Sequence, residues 1–252
     1  MIDLNGQRTL ITGGSRGIGR AAAILFARAG SDVAISFNRN EKAAVEVKEA
    51  VESLGRRCLV HRADLARREE AAALASTVAA AWGGIDTLVN NHGIWTFLDM
   101  GEGAVSAWKE TMEVNLDGVY YLTDVVVPMM KARKKGCIIN VGSTAGIRGE
   151  AGHSHYAATK GALNALTKSW SSELAPFGIR VNCVAPGWVD TEMSAGPFAD
   201  PAFRESVRQS IPLKRIPPAE DIAGPILFLA SPLARHITGA IINVNGGAVL
   251  CG

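Results

Sequence analysis

Seven short, β-rich apolar runs alternate with longer Ala-rich segments along almost the whole chain. The runs are RTLIT (8–12), DVAIS (32–36), RCLVH (57–61), DTLVN (86–90), CIINV (137–141), IRVNCV (179–184) and AIINV (240–244). Between them, segments such as IGRAAAILFARAG and EEAAALASTVAAAW carry apolar residues at helical spacing. The runs are nearly continuously apolar, the pattern of parallel strands covered on both faces. Repeated strand and helix units predict one doubly wound α/β domain over residues 1–252, a parallel sheet of about seven strands with helices on both faces.

With 252 residues, 48% of them hydrophobic, the chain can bury one large core. A net charge of +2 argues against a nucleic-acid partner, and no basic, aromatic-interleaved stripe is present. The start, MIDLNGQRTLITGG, does not read as a signal peptide, and no run approaches a membrane span. A soluble, cytoplasmic protein is expected. Cys58, Cys137, Cys183 and Cys251 lie far apart without C-x-x-C spacing, and the three beside apolar runs (Cys58, Cys137 and Cys183) read as small reduced core residues. The proline-rich stretch 185–218 is the longest irregular part, with a short helix expected around 201–209. Its place after the sixth strand predicts a substrate lid over about 188–215.

Directly after the first strand comes TGGSRGIGR, residues 12–20, followed at once by a helix. Gly13, Gly17 and Gly19 let the turn adopt unusual angles and let backbone approach a pyrophosphate, which the helix N-terminus attracts. This placement in the first βα unit predicts a Rossmann-type dinucleotide site. An NAD site wants an acid at the end of the second strand; here the sequence reads ISFNRNE, with Asn38 and Arg39. Arg16 and Arg39 could flank a 2′-phosphate, so NADP(H) is the expected cofactor.

The chain resembles the short-chain dehydrogenase/reductase family over essentially its whole length. TGGSRGIG matches the cofactor fingerprint, Ala63-Asp64 the pair after the third strand, and NNHG (90–93) the fourth-strand motif, with His92 in place of alanine. Asn115, Ser143, Tyr156 and Lys160 match the catalytic positions, and APGWVDT (185–191) the segment over the nicotinamide. The resemblance implies cofactor contacts from Gly13, Ser15, Arg16, Gly17, Ile18, Gly19, Asn38, Arg39, Asp64, Leu65, Asn90, Gly93, Tyr156, Lys160, Pro186, Gly187, Val189 and Thr191. It further implies that Tyr156 exchanges a proton with the substrate oxygen and Ser143 hydrogen-bonds that oxygen. Lys160 would hold the nicotinamide ribose, and Asn115 would steady a helix kink and a relay water. Because Tyr156 and Lys160 are helical neighbours, the ammonium is expected to lower the phenol pKa.

In HSHYAATKGA (153–162), His153-x-His155 offers two imidazoles but no nearby acidic or Cys partner, so no metal is expected. Substrate contacts are expected from Trp95, Ser143, His153, Tyr156, Trp188 and Met193, with Ile94, Phe97 and Phe198 nearby. Among family members the chain looks most like reductases of 3-oxoacyl chains carried on acyl carrier protein. A small-molecule carbonyl or alcohol, free or carried on that protein or coenzyme A, is the expected partner. Broad carbonyl reductases and sugar or alicyclic alcohol dehydrogenases are the alternatives, and a silent cofactor-binding scaffold is the non-enzyme one. KARKKG (131–136) could form a basic patch for an acidic carrier, whereas SSEL (171–174) has serines where those reductases place an arginine. The resemblance also implies a homotetramer, built through the helices around 104–133 and 152–176 and the apolar tail.

Overall fold

The structure is a computed structural model that describes residues 2–101 and 105–250. In chain order its main elements are β1 (Arg8–Ile11), α1 (Gly17–Arg28), β2 (Asp32–Phe37), α2 (Glu41–Ser53), β3 (Cys58–Arg62), α3 (Arg68–Trp82) and β4 (Thr87–Asn90). Then come α4 (Val105–Met112), α5 (Gly118–Arg133), β5 (Gly136–Val141), α6 (Ala145–Arg148), α7 (Ser154–Leu174) and β6 (Ile179–Pro186). The chain closes with α8 (Ala195–Phe198), α9 (Pro201–Ser210), α10 (Ala219–Ala230) and β7 (Ile241–Val244). All seven expected strands form. β6 continues through Pro186, beyond the expected Val184, and α8 is an element the sequence reading did not anticipate.

The strands make one parallel sheet in the order β3-β2-β1-β4-β5-β6-β7. Chain direction across the sheet reverses between β1 and β4, so their carboxyl ends open a crevice. The apolar continuity of the central strands follows from their burial: every residue of β4 and β5 is buried. One face packs under α1, α2 and α10, with Phe26, Ile35, Val47 and Ile226 at its centre. The other packs under α3, α5 and α7, with Leu74, Leu88, Leu122 and Ile138. Asn40 caps α2 by accepting from the Ala43 amide at 3.0 Å, and Gly83 ends α3 in the left-handed region at φ 75°.

Polar side chains cross the core where strands meet. Asn90 and Asn140 are register partners, and the Asn90 amide donates to Asn140 Oδ1 at 3.0 Å and to Thr123 Oγ1 at 3.1 Å. Asp86 precedes β4 and accepts from Arg8 Nε at 2.7 Å and Arg133 Nη1 at 3.1 Å. Arg133 is therefore turned inward, and the basic cluster expected at 131–136 keeps only its lysines for solvent. Between α4 and α5 the helix widens into a π-helical turn at Glu113–Asp117. Among the described residues no helix is long and apolar enough to cross a membrane. Cys58 is half-buried and Cys137 and Cys183 are buried, all as free thiols; Cys251 lies outside the described residues.

Candidate active site

The crevice widens into a cavity of about 750 Å³ that runs from the glycine turn, past the end of β2, to the N-terminus of α7. The turn is shaped for a large ligand. Gly13 and Gly17 sit at φ 60° and 50°, and α1 begins without a side-chain cap or an acid in its first turn. Its first amides therefore stay free for an anion. Ser15, Arg16, Ile18, Asn38, Arg39, Asp64, Leu65 and Gly93 line the same cavity, as do Pro186, Gly187, Val189 and Thr191.

Two residues expected at the cofactor lie outside this wall. A Cβ on Gly19 would stand 2.3 Å from the Gly13 carbonyl, so Gly19 lets α1 approach the turn from behind. Asn90 is spent in the cross-strand network described above. The neighbouring Asn91, which the sequence reading passed over, does line the cavity and donates to the Thr12 and Gly13 carbonyls at 2.9 and 3.2 Å.

At the far end the strand β5 delivers Ser143 and α7 delivers Tyr156 and Lys160, all three on the cavity wall. The Lys160 ammonium donates to the Val141 carbonyl at 2.8 Å and lies 5.6 Å from the Tyr156 ring centroid. Burial lowers the Lys160 pKa to about 8. Burial likewise pushes the Tyr156 phenol up to about 12, against a hydrogen bond with Ser143 that lowers it. The expected depression of the phenol by Lys160 is therefore corrected. The ammonium is committed to a backbone carbonyl and is itself destabilised by burial, so the dry environment prevails.

Asn115, the remaining expected catalytic residue, is fully buried on the π-helical turn and stands behind the wall. Its amide grips the backbone of Ile94, accepting from the Ile94 amide at 2.8 Å and donating to the Ile94 carbonyl at 2.8 Å. Trp95, Trp188 and Met193 line the cavity, but His153 does not; it lies behind Trp95 with its ring stacked on the indole. Trp188 also packs with Phe198 and Phe203, so the segment after β6 carries a small apolar cluster of its own with Val207 and Ile211. Among the described residues no three His, Cys, Asp or Glu side chains stand together as a metal site.

A family model described as enoyl-(acyl carrier protein) reductase matches residues 13–249. The 3-oxoacyl-(acyl-carrier-protein) reductase of Thermotoga maritima is 38% identical over 98% of this chain and 99% of its own. The enzyme of that name from Staphylococcus epidermidis is 37% identical over 96% and 98%. The chain belongs to the short-chain dehydrogenase/reductase family. L-rhamnose 1-dehydrogenase (NAD(P)(+)) of a Sphingomonas species is also similar, 36% identical over 97% of this chain and 96% of that one. A solved structure described as a short-chain alcohol dehydrogenase, from Sinorhizobium meliloti, superposes with a TM-score of 0.94 at 33% identity, covering 98% of this chain and 97% of that chain.

As a short-chain dehydrogenase/reductase the chain acts on CH–OH or ketone groups with a nicotinamide cofactor. His92 is where it departs from the family motif, and the structure gives the histidine two neighbours. Nδ1 meets the Thr12 hydroxyl at 2.7 Å, while a Cβ on Gly118 would stand 2.9 Å from Nε2. The imidazole thus fills the gap between the glycine turn and α5 while lining the cavity. Burial, helped by the Lys160 charge, lowers its pKa to about 3, so it stays neutral.

Proposed function

We propose that this short-chain reductase uses NADP(H) to interconvert a ketone and a secondary alcohol, with a 3-oxoacyl thioester as the first substrate to test. The observation that carries the reading is the single cavity that joins the glycine turn to Ser143, Tyr156 and Lys160. Its wall fits a dinucleotide, because Gly13 and Gly17 turn the backbone through positive φ there and the first amides of α1 have no side-chain cap. Gly13, Gly17 and Ile18 would hold the pyrophosphate, and Lys160 the nicotinamide ribose. The bound nicotinamide supplies or accepts the hydride. Arg16 and Arg39 stand on the wall with Asn38, and no carboxylate occupies positions 38–40, which favours a 2′-phosphate over a free ribose hydroxyl.

Tyr156 acts as the proton donor in reduction. A phenol pushed up to about 12 stays protonated at neutral pH and loses its proton only to a strongly basic oxygen such as a forming alkoxide. Ser143 adds a second hydroxyl aimed at the same oxygen, where negative charge develops. Asn115 contributes by fixing Ile94, and with it the loop after β4. Residues 188–215 act as the substrate lid, seated on the Trp188 cluster.

Exposed Val105, Trp108 and Tyr120 on α4 and α5 support assembly with further copies, for which a homotetramer is the proposal. Light scattering that shows a stable monomer contradicts that part. The function is tested by following NADPH oxidation with acetoacetyl thioesters on carrier protein and on coenzyme A, cyclic ketones, and, in reverse, L-rhamnose with NADP. Preference for NADH, or turnover of the sugar alone, overturns the reading.

A further inference from the structure

The two histidines that precede Tyr156 have no part in the mechanism above, yet both are buried, and His155 is completely so. Their surroundings explain the burial. The loop after β4 folds down onto the turn before α7, and several of its residues pair across that contact. The Leu98 amide donates to the Gly152 carbonyl at 2.7 Å. His153 stacks face to face on Trp95, with ring centroids 4.2 Å apart and planes 4° from parallel. Phe97 meets the same imidazole edge-on at 5.7 Å. His155 Nε2 meets the Thr96 hydroxyl at 3.0 Å, and Trp95 Nε1 donates to Glu150 at 3.4 Å. A Cβ on Gly152 would stand 2.5 Å from Phe97, so the two segments touch without room for a side chain there.

The position of these histidines along α7 gives the contact a consequence for chemistry. His153 is the N-cap of α7, His155 lies in its first turn, and Tyr156 comes next. Whatever holds Trp95 to the histidines therefore holds it at a fixed offset from the proton donor. One indole face is covered by His153. Trp95 also lines the cavity, with Trp188 nearly perpendicular to it at 83° and 5.7 Å. The two indoles pack edge to face on the wall of the cavity that Ser143 and Tyr156 also line, and together they make an aromatic corner, a slot in which a flat group can stack on the ring surface left open.

We propose that His153 and His155 are positioning residues that act through Trp95, and that the slot they set takes a flat substituent on the substrate carbonyl. This rests on reading the cavity as a ketone site, and it deepens that reading by naming what sits beside the carbonyl. Neither imidazole touches the reacting atoms; each fixes the wall against which the substrate is oriented.

The test compares two β-keto esters that differ in one group, ethyl 3-oxobutanoate and ethyl 3-oxo-3-phenylpropanoate. The wild-type enzyme is expected to favour the phenyl ester through KM, by about 5- to 10-fold, the scale of one aromatic contact. His153→Ala should erase that preference by raising KM for the phenyl ester, with kcat and NADPH affinity little moved. His153→Phe, which restores a ring under the indole, should return most of it. In a Trp95→Ala background, adding His153→Ala should have no further effect on the ratio. His155→Ala should likewise lower the preference, whereas His155→Gln, which keeps a polar group within reach of Thr96, should retain most of it and tests the contact should His155→Ala not fold.

A second readout needs no turnover. With 5-fluorotryptophan incorporated, the Trp95 ¹⁹F resonance, assigned by its loss in Trp95→Phe, should shift in His153→Ala and move towards its original place in His153→Phe. An unmoved resonance in the histidine variants overturns the clamp, whether or not any ester is reduced. A moved resonance with an unchanged ester preference overturns the assignment of the slot. Failure of both esters while the resonance behaves as expected counts against the ketone reading itself.

Discussion

Gly146 is the point at which packing alone should control the chemistry. It lies on α6, three residues after Ser143, where that short helix crosses α7. A Cβ there would stand 2.4 Å from the Lys160 carbonyl carbon and 2.6 Å from both the Lys160 oxygen and the Gly161 nitrogen. Carbon atoms settle at roughly 3.5 Å, so Gly146→Ala must open the crossing by about 1 Å. All three of these neighbours are backbone atoms, and no side chain can swing away to absorb the strain. The displaced segment carries Lys160 and Tyr156, whereas Ser143 stays with β5, so the hydroxyls lose their mutual alignment. Misplacement on this scale costs about 100-fold in rate, whereas overpacking costs about 1–3 kcal/mol of stability. For a chain of this size that stability loss lowers Tm by roughly 2–12 °C. The prediction is thus a folded enzyme with a modest drop in Tm and a large drop in kcat, measured by calorimetry and by steady-state reduction of a ketone. Gly161→Ala is the graded comparison, since its Cβ meets only the Gly146 carbonyl at 3.3 Å. A folded Gly146→Ala enzyme with wild-type kcat would refute the argument that this crossing sets the alignment.

Tyr156→Phe should lower kcat by about 10²- to 10⁴-fold, the range for losing one positioned proton donor, while isothermal titration shows little change in NADPH affinity. Lys160 gives a pH signature in the cofactor-free protein. Its folded pKa of about 8 lies below the ordinary lysine value near 10.4, so between those limits the unfolded chain holds more protons. Stability should therefore gain a rising contribution from pH 8 to 10 that Lys160→Met lacks, as read from denaturant titrations at each pH. Asp86→Ala should cost about 3 kcal/mol, the low end for breaking a buried pair, because Arg8 and Arg133 retain some water. Burial raises the Asp86 carboxylate, but its two guanidinium partners outweigh that and hold it below the usual range. Its contribution is present above the ordinary carboxylate pKa and is lost as pH falls through the depressed value, so Asp86→Asn should flatten the acid side of the stability profile.

The sheet was legible in the sequence because parallel strands are buried on both faces and leave a continuous apolar signature. The glycine turn was legible because close backbone approach admits few residue types. Asn90 and Asn91 show the limit of motif reading. Adjacent in a single motif, they point to opposite sides of the strand end, and only the pairing of Asn90 with Asn140 reveals which one joins the core. The phenol was misjudged because helical spacing gives the distance to Lys160 but says nothing of how dry the site is or that Val141 takes the ammonium. Trp95 and His153 were legible as neighbours at one substrate site, but the stacking of one ring on the other was not. The contact joins residues 94–98 to 149–155, and nothing in either stretch says which side chain pairs with which.

The π-helical turn at Glu113–Asp117 makes the rod from α4 to α5 unusually intolerant of a changed residue count. The widened turn holds a residue more than an α-helical one, so deleting one there would restore ordinary winding and swing Asn115 by about 100° relative to one of the helices it joins. Asn115 could then keep its grip on Ile94 only if α5 gave up the face it buries against the sheet. Substitution along this rod asks how well a new side chain fits, but a one-residue deletion asks two docked surfaces to agree on a phase they no longer share. Changes in length should accordingly be far scarcer here than in the surface loops of the same molecule.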